Sequence, residues 1–391
     1  MSTILSNRVQ KIKPSATLAV GERAKQLKAQ GAKIVSMGSG EPDFDTPFNI
    51  QNAATQAISA GETRYTAVDG TPQLKNAICE KFKRENGLDY SVNEVMVSSG
   101  GKQVFYNLCQ AILSNGDEVI IPAPYWVSYP DIVILADATP VFIEAGLEQE
   151  FKITAEQLES SINANTKLFV LNSPSNPTGA VYTKSEIESL GAVLERHPHV
   201  NVISDDIYEH IRWGDDEFVN IAMACPKLKD RTIILNGVSK AYAMTGWRIG
   251  YAAGPEDIIK AMKKIQGQST SNPSSISQAA ALEAISGDQS FINIMVEAFE
   301  RRHNFLVDSL NSIDGIECPQ SRGAFYSFPR VQGLIDRLGL KDDVEFSTYC
   351  LDKISLALVP GSAFGAPGYV RLSFATSMDN LKLAIERLSN I

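Results

Sequence analysis

The chain has 391 residues, 44% of them hydrophobic and 21% charged, a balance that excludes a disordered, collagen-like or low-complexity protein. At about 100–200 residues per domain, the length predicts two or three domains, with a core that needs no disulfide or metal staple. The formal net charge of −9 argues against nucleic acid as the main partner, yet permits an anionic small molecule in a local cationic pocket.

Residues 1–45 are rich in turn formers around Gly38-Ser-Gly-Glu-Pro42 and too poor in apolar residues for a domain, so they are expected to pack on another part of the chain. The sequence opens on no apolar region of signal length, and no window of about 18 apolar residues exists, so no membrane span is expected. Five widely spread cysteines without a CxxC pair point away from zinc and disulfides, toward a reducing, cytoplasmic compartment.

From about residue 93 to 254, short apolar runs alternate with helical patterns. The runs cover residues 95–98, 118–121, 140–143, 168–171, 200–204, 232–235 and 249–252. They are rich in β-branched residues and continuous rather than alternating, as strands buried on both faces are. Thr154-Ala-Glu-Gln157 and Thr183-Lys-Ser-Glu186 match capping boxes that start helices between them. After about residue 290 the pattern changes to a long helix over 290–311, scattered strands at 324–328, 355–359 and 369–374, and a terminal helix from about 378. The class is α/β with a mostly parallel sheet. The expected division is an N-terminal segment 1–45, a large domain 46–290 and a smaller α+β domain 291–391.

Lys240 comes just after the strand predicted at 232–235. Most lysines are surface cations, but burial favours the neutral amine, a nucleophile toward carbonyls. Eight residues on, Arg248 in Met244-Thr-Gly-Trp-Arg-Ile-Gly-Tyr251 offers a planar guanidinium for a phosphate. A Schiff-base lysine near such an arginine points to pyridoxal 5′-phosphate (PLP). That cofactor makes further demands. A helix N-terminus holds its phosphate best, and Ser98-Ser-Gly-Gly-Lys102 lies between a strand and the helical pattern at 103–113. Its ring nitrogen needs a carboxylate, and Ile203-Ser-Asp-Asp-Ile-Tyr208 puts two at a strand end, where ligands of open α/β sheets sit. Tyr208 is a candidate partner for its phenolic oxygen. Asn172-Ser-Pro-Ser-Asn-Pro-Thr-Gly179 follows another strand and alone is a turn signal. Singly, an ordinary βα turn or a capping aspartate explains each feature; together, in this order, they are specific.

This set resembles the fold-type I PLP enzymes, the class I aminotransferases, and within them the bacterial aspartate aminotransferase subgroup, some members of which also use prephenate. The resemblance spans essentially the whole chain, through Gly38–Pro47, Arg64-Tyr-Thr66, Gly100-Gly-Lys-Gln103, Pro122–Tyr129, Asn172–Gly179, Asp205–Tyr208, Ser239–Tyr251, Gly323-Ala-Phe-Tyr326 and Val370–Ala375. It implies that Lys240 links covalently to the cofactor and then moves the proton. It implies that Asp205 pairs with the ring nitrogen, since the family's Asp-x-x-Tyr pattern aligns Tyr208. Tyr208 and Asn176 then contact the phenolic oxygen and Trp126 stacks on the ring. Ser99, Gly100, Gly101, Ser239 and Arg248 surround the phosphate. Tyr65 reaches the phosphate of a second copy, which requires a homodimer. Arg371 binds the substrate α-carboxylate beside the Gly38 backbone. One departure stands out: many relatives carry a serine three residues before the lysine, where this chain has Gly237.

Many aspartate aminotransferases bind the distal carboxylate with an arginine after a Ser-Asn-Pro segment. Here Ser271-Asn-Pro-Ser-Ser-Ile-Ser277 has none. In the bacterial subgroup a lysine in the Gly-Gly-Lys-Gln turn replaces it, and Lys102 matches; Thr17 matches the threonine of prephenate users. The resemblance therefore implies amino transfer from L-aspartate to 2-oxoglutarate, with prephenate as a further acceptor.

Other chemistries on the same scaffold, such as aromatic aminotransferases, carbon–sulfur lyases and cyclopropane-carboxylate synthases, are the nearest rivals. A regulatory relative would need a DNA-binding segment, and no basic helix-turn-helix precedes residue 30. Gly38-Ser-Gly40 fails the dinucleotide fingerprint, no Walker A sequence occurs, and the four histidines form no HExxH.

Overall fold

The computed structural model describes residues 5–12 and 16–391, with side chains from residue 19 onward in the second stretch. After β1 (Val35–Ser36) come β2 (Val95–Ser98), β3 (Glu118–Ala123), β4 (Thr139–Glu144), β5 (Thr166–Asn172), β6 (Asn201–Asp205), β7 (Thr232–Gly237) and β8 (Gly250–Ala253). Strands β2 to β8 form one seven-stranded sheet in the order β2-β8-β7-β6-β5-β3-β4. Only β8 runs against its neighbours. Every predicted run lies in this sheet, and its continuous apolar character has the expected cause: helices cover both faces. Met96, Val119, Leu168 and Ile233 pack under helix Gly101–Ile112, whereas Val95, Val97 and Ile234 join Ile78 and Ala281 on the other face. Both predicted capping boxes form, at Thr154 with Gln157 and Thr183 with Glu186.

Helix Ser290–Asn311 leads into β9 (Tyr326–Ser327), β10 (Leu356–Ala357), β11 (Val359–Pro360) and β12 (Val370–Ser373), before helix Met378–Ser389 ends the chain. Strands β11, β12 and β9 make an antiparallel sheet, while β10 pairs in parallel with β1. The N-terminal segment thus supplies a strand to the C-terminal part. Among the described residues, no helix is long and apolar enough to cross a membrane.

His303 is fully buried in the C-terminal part, packed on Trp213 and Phe374. The Ser321 N–H donates to its Nε2 at 3.0 Å, so Nδ1 carries the proton and donates to Asn304 Oδ1. Burial lowers the pKa of the ring below its ordinary 6.5. A depressed pKa means the unfolded chain binds the proton more readily, so this stabilisation is present above about pH 6.5 and lost as pH falls through the folded value. The melting temperature of His303→Gln is therefore expected to change less between pH 7 and pH 5.5 than that of the parent; an equal change contradicts this.

Candidate active site

The C-terminal ends of five parallel strands meet along one edge of the sheet, and each delivers site residues. β2 runs into Ser99-Gly100-Gly101, β3 toward Trp126 and β5 toward Asn176; β6 ends on Asp205, and β7 leads to Ser239 and Lys240. The registers Asn172↔Asp205 and Asp205↔Leu235 set the middle strands side by side. Above this edge, bounded also by helix Ala16–Ala29, lies a cavity of about 710 Å³. Of the residues singled out in the sequence, Gly38, Gly101, Lys102, Trp126, Asn176, Asp205, Tyr208, Ser239, Lys240, Arg248 and Arg371 all line it.

Lys240 projects into the cavity, and its ammonium donates to the Gly40 carbonyl. Burial, with the charge of Arg371, lowers its pKa to about 8 despite the attraction of Glu41 and Asp205. A usable fraction is then free amine near neutral pH. Asp205 is buried, and burial pushes its carboxyl up to about 6 against the hydrogen bonds from Tyr129 and the Ile207 N–H. The Tyr129 hydroxyl donates to Asp205 Oδ2 at 2.5 Å. The neighbouring Asp206 faces away from the cavity, taking bonds from Ser204 and Asn220.

At the first turn of helix Gly101–Ile112, Gly100 has φ +92, and a Cβ on it would collide with the Arg248 guanidinium. Arg248 donates to the Thr245 carbonyl at 2.8 Å and lies 3.4 Å from Ser99 O. A guanidinium laid across a helix N-terminus is an anion cradle. Ser99 spends its amide on Gln103 Oε1, so it offers the cavity no backbone donor. At Gly237 a Cβ would press within 2.9 Å of Gly250 Cα and Ile249 O, so a serine there does not suit this backbone.

Arg371 is 2% exposed. It donates to Asn176 Oδ1 and Gly38 O, both at 2.9 Å, and lies 4.4 Å from the Tyr326 ring centroid. Its Nε is buried and has no partner among the described residues. That unspent donor suits a carboxylate. Tyr208 bonds Tyr326 hydroxyl to hydroxyl at 2.9 Å. On the opposite wall the Lys102 ammonium lies 5.3 Å from the Trp126 ring centroid, and burial beside the charge of Arg248 lowers its pKa.

Of the other expected residues, Ser99 and Gly100 stand beside Arg248 at the helix N-terminus without lining the cavity, and Tyr65 is not brought to it. Tyr65 is 91% exposed and lines a separate surface groove with Arg64 and Asn272. Thr17 falls in helix Ala16–Ala29, but its side chain lies outside the described residues. Two residues without an expected role do belong to the site. Tyr129 stands three positions after Trp126, and Tyr326 closes Gly323-Ala-Phe-Tyr326. Both lie in stretches that carried the resemblance, but nothing in the sequence says where their hydroxyls point.

The model of the family described as aminotransferase class I and II matches residues 32–388. The aspartate/prephenate aminotransferase of Nitrosomonas europaea is 58% identical over 99% of both chains. That of Cereibacter sphaeroides is 53% identical over 98% of this chain and 97% of the relative. Among solved structures, the aspartate aminotransferase of Rhizobium meliloti superposes with a TM-score of 0.96 at 48% identity, covering 100% of this chain and 98% of that one. The Thermus thermophilus aspartate aminotransferase with maleate gives 0.94 at 42% identity, covering 100% of both. With its sheet, its strand-end lysine and carboxylate and its glycine–arginine cradle, the chain belongs to the class I and II aminotransferases.

Proposed function

We propose that this enzyme transfers the amino group of L-aspartate to 2-oxoglutarate with the aid of PLP, and that prephenate is a second acceptor. One observation carries the reading: a lysine amine of lowered pKa, a buried carboxyl and an anion cradle share one cavity with a buried arginine that has an unspent N–H. These residues fit the cofactor. The amine suits its aldehyde, the cradle its phosphate, and the otherwise costly buried carboxylate its cationic ring nitrogen. The names of the relatives support the substrates.

When bound, PLP supplies an electron sink for the pair released at the substrate Cα. Lys240 would hold the cofactor through its Nζ, and the same amine, aimed into the cavity, is the group placed to take up and return the substrate Cα proton. Asp205 would keep the ring nitrogen protonated, and the Tyr129 hydroxyl orients Asp205. Trp126 would cover the cofactor ring, and Tyr208 and Asn176 would meet its phenolic oxygen. The Gly101 amide, Arg248 and the hydroxyls of Ser99 and Ser239 would hold the phosphate, with Ser239 replacing the hydroxyl that Gly237 lacks; the Gly100 amide is spent on the Ser98 carbonyl at 2.8 Å, and Gly100 serves by leaving room for the Arg248 guanidinium. Arg371 binds the α-carboxylate beside Gly38, and Lys102 with Thr17 receives the distal one. Tyr65 serves the site of a second copy in a homodimer, a reading supported by its exposure next to the groove at Asn272. Residues 1–45 pack with the smaller domain at 291–391, beside a large domain at 46–290, a division supported by the pairing of β1 with β10. The five unpaired cysteines fit a reducing cytoplasm.

Both substrates use one site in turn, so ping-pong kinetics are expected. A coupled assay with aspartate and 2-oxoglutarate tests the first activity, and product analysis with prephenate the second; no detectable arogenate sinks the second alone. Lys102→Ala is expected to lower kcat/KM for dicarboxylic substrates about 10- to 100-fold, the size of a lost charge-assisted contact, and to affect monocarboxylic ones far less. An equal loss would show that Lys102 is not the distal anchor.

A further inference from the structure

Helix Ala16–Ala29 forms a wall of the cavity, and the proposed chemistry gives most of that wall no task. Gly21, Ala24, Lys25 and Lys28 face the cavity, at the i, i+3, i+4 and i+7 spacing of one helix face. Ala24 seats the helix against Ile34, Leu351 and Ala357; the lysines bring two charges to the rim. Both are exposed. Among the described residues, Arg23 on the next face pairs with Asp352 at 4.0 Å, whereas Lys25 and Lys28 form no ion pair. Glu22 and Glu41 also line the cavity, and Glu41 accepts a bond from Thr245 at 2.9 Å. At the rim Glu22 and Glu41 stand with Lys25 and Lys28, while Lys102 and Arg248 lie deeper in the cavity. Over the whole cavity six cations, Lys25, Lys28, Lys102, Lys240, Arg248 and Arg371, face three carboxylates, Glu22, Glu41 and Asp205, in a protein of net charge −9.

We infer that Lys25 and Lys28 form an electrostatic gate that favours the dianionic 2-oxo acid over the monoanionic amino acid. The inference rests on the transamination reading and adds an asymmetry to it. Aspartate carries an ammonium beside its two carboxylates, so its net charge is a single negative one. 2-Oxoglutarate and prephenate lack the ammonium and carry two. Inside the cavity Arg371 and Lys102 meet the two carboxylates of either partner. A cation at the rim feels net charge instead, and its field raises the local concentration of the dianion more. In logarithmic terms the effect on the 2-oxo acid is twice that on aspartate, so the gate speeds the return half of the cycle.

The test uses the PLP-loaded enzyme and follows each half-reaction separately by cofactor absorbance after rapid mixing. At low ionic strength, Lys25→Gln/Lys28→Gln is expected to lower the second-order rate constant about fourfold for 2-oxoglutarate and about twofold for aspartate. Both losses shrink toward unity at about 0.5 M salt, where the Debye length falls to roughly 4 Å. Lys25→Arg/Lys28→Arg keeps the parental constants. Calorimetric titration with the non-reacting dianion succinate gives a second readout, with weaker binding in the glutamine variant at low salt. Equal losses for the two substrates, losses that persist in salt, or no loss at all overturn the gate. If the parent enzyme binds PLP but performs neither half-reaction, the transamination reading itself fails.

Discussion

Lys240→Ala is expected to lower kcat for aspartate and 2-oxoglutarate by about 10⁴-fold or more, since one side chain supplies both the covalent attachment and the moving proton. Binding depends on other groups, Arg371 and Lys102, so KM should change far less than kcat. The fold should survive, because among the described residues the Lys240 ammonium has one hydrogen-bond partner, the Gly40 carbonyl, and losing it removes a charge whose burial is unfavourable. Steady-state kinetics with circular dichroism as the folding control checks this. A variant that keeps more than about a hundredth of the parental kcat contradicts it. The same amine sets a pH dependence. Its neutral form attacks the aldehyde, and its pKa is lowered to about 8. Covalent loading of PLP into the cofactor-free protein should therefore accelerate from pH 6.5 to 8 and level off above that.

The second large effect concerns stability. The Lys81 side chain is wholly buried behind the site; it pairs with Glu209, lies 3.5 Å from Glu85 Oε2 and donates to Asn86 Oδ1 at 2.8 Å. Burial would raise the Glu209 carboxyl, but the charges of Lys81 and His210 outweigh it and hold the pKa below the ordinary value. Asn86 and Asn236 add donors at 3.1 and 2.7 Å. This cluster ties helix Pro72–Asn86 to the turn that carries Tyr208 and to β7, just before Lys240. Glu85, Glu209 and His210 could hold a metal ion by geometry, but the Lys81 ammonium already bonds Glu209. Lys81→Met leaves Glu209 buried without its ammonium partner, which should cost about 3 kcal/mol. Lys81→Met/Glu209→Leu removes both charges and should recover most of that loss. Urea unfolding with hydrogen exchange in β6 and β7 measures both. A single variant within about 1 kcal/mol of the parent would show that the pair contributes little.

The strands were readable because burial on both faces leaves a continuous apolar signature. β7 extends two residues past its predicted end because Gly237 lies opposite Gly250, two glycines whose backbones approach closely. The single strand expected at 355–359 divides around Leu358, since Leu356–Ala357 pairs with β1 while Val359–Pro360 pairs with β12. Helix Ala16–Ala29 gave little periodic signal; Gly21 interrupts it, and its inward face bears lysines. The site was legible where motif order carried it, at Lys240, Asp205, Arg248 and Arg371. Tyr129 meets Asp205 across 76 positions and Lys81 meets Glu209 across 128, and no local pattern encodes such pairings.

The central claim is that the Lys240 amine carries the cofactor. Incubating the cofactor-free protein with PLP, fixing the link with borohydride and mapping the mass addition by peptide analysis tests it directly. The account predicts one reduced adduct per chain, on the peptide containing Lys240. An adduct confined to other lysines, or none at all, would contradict it.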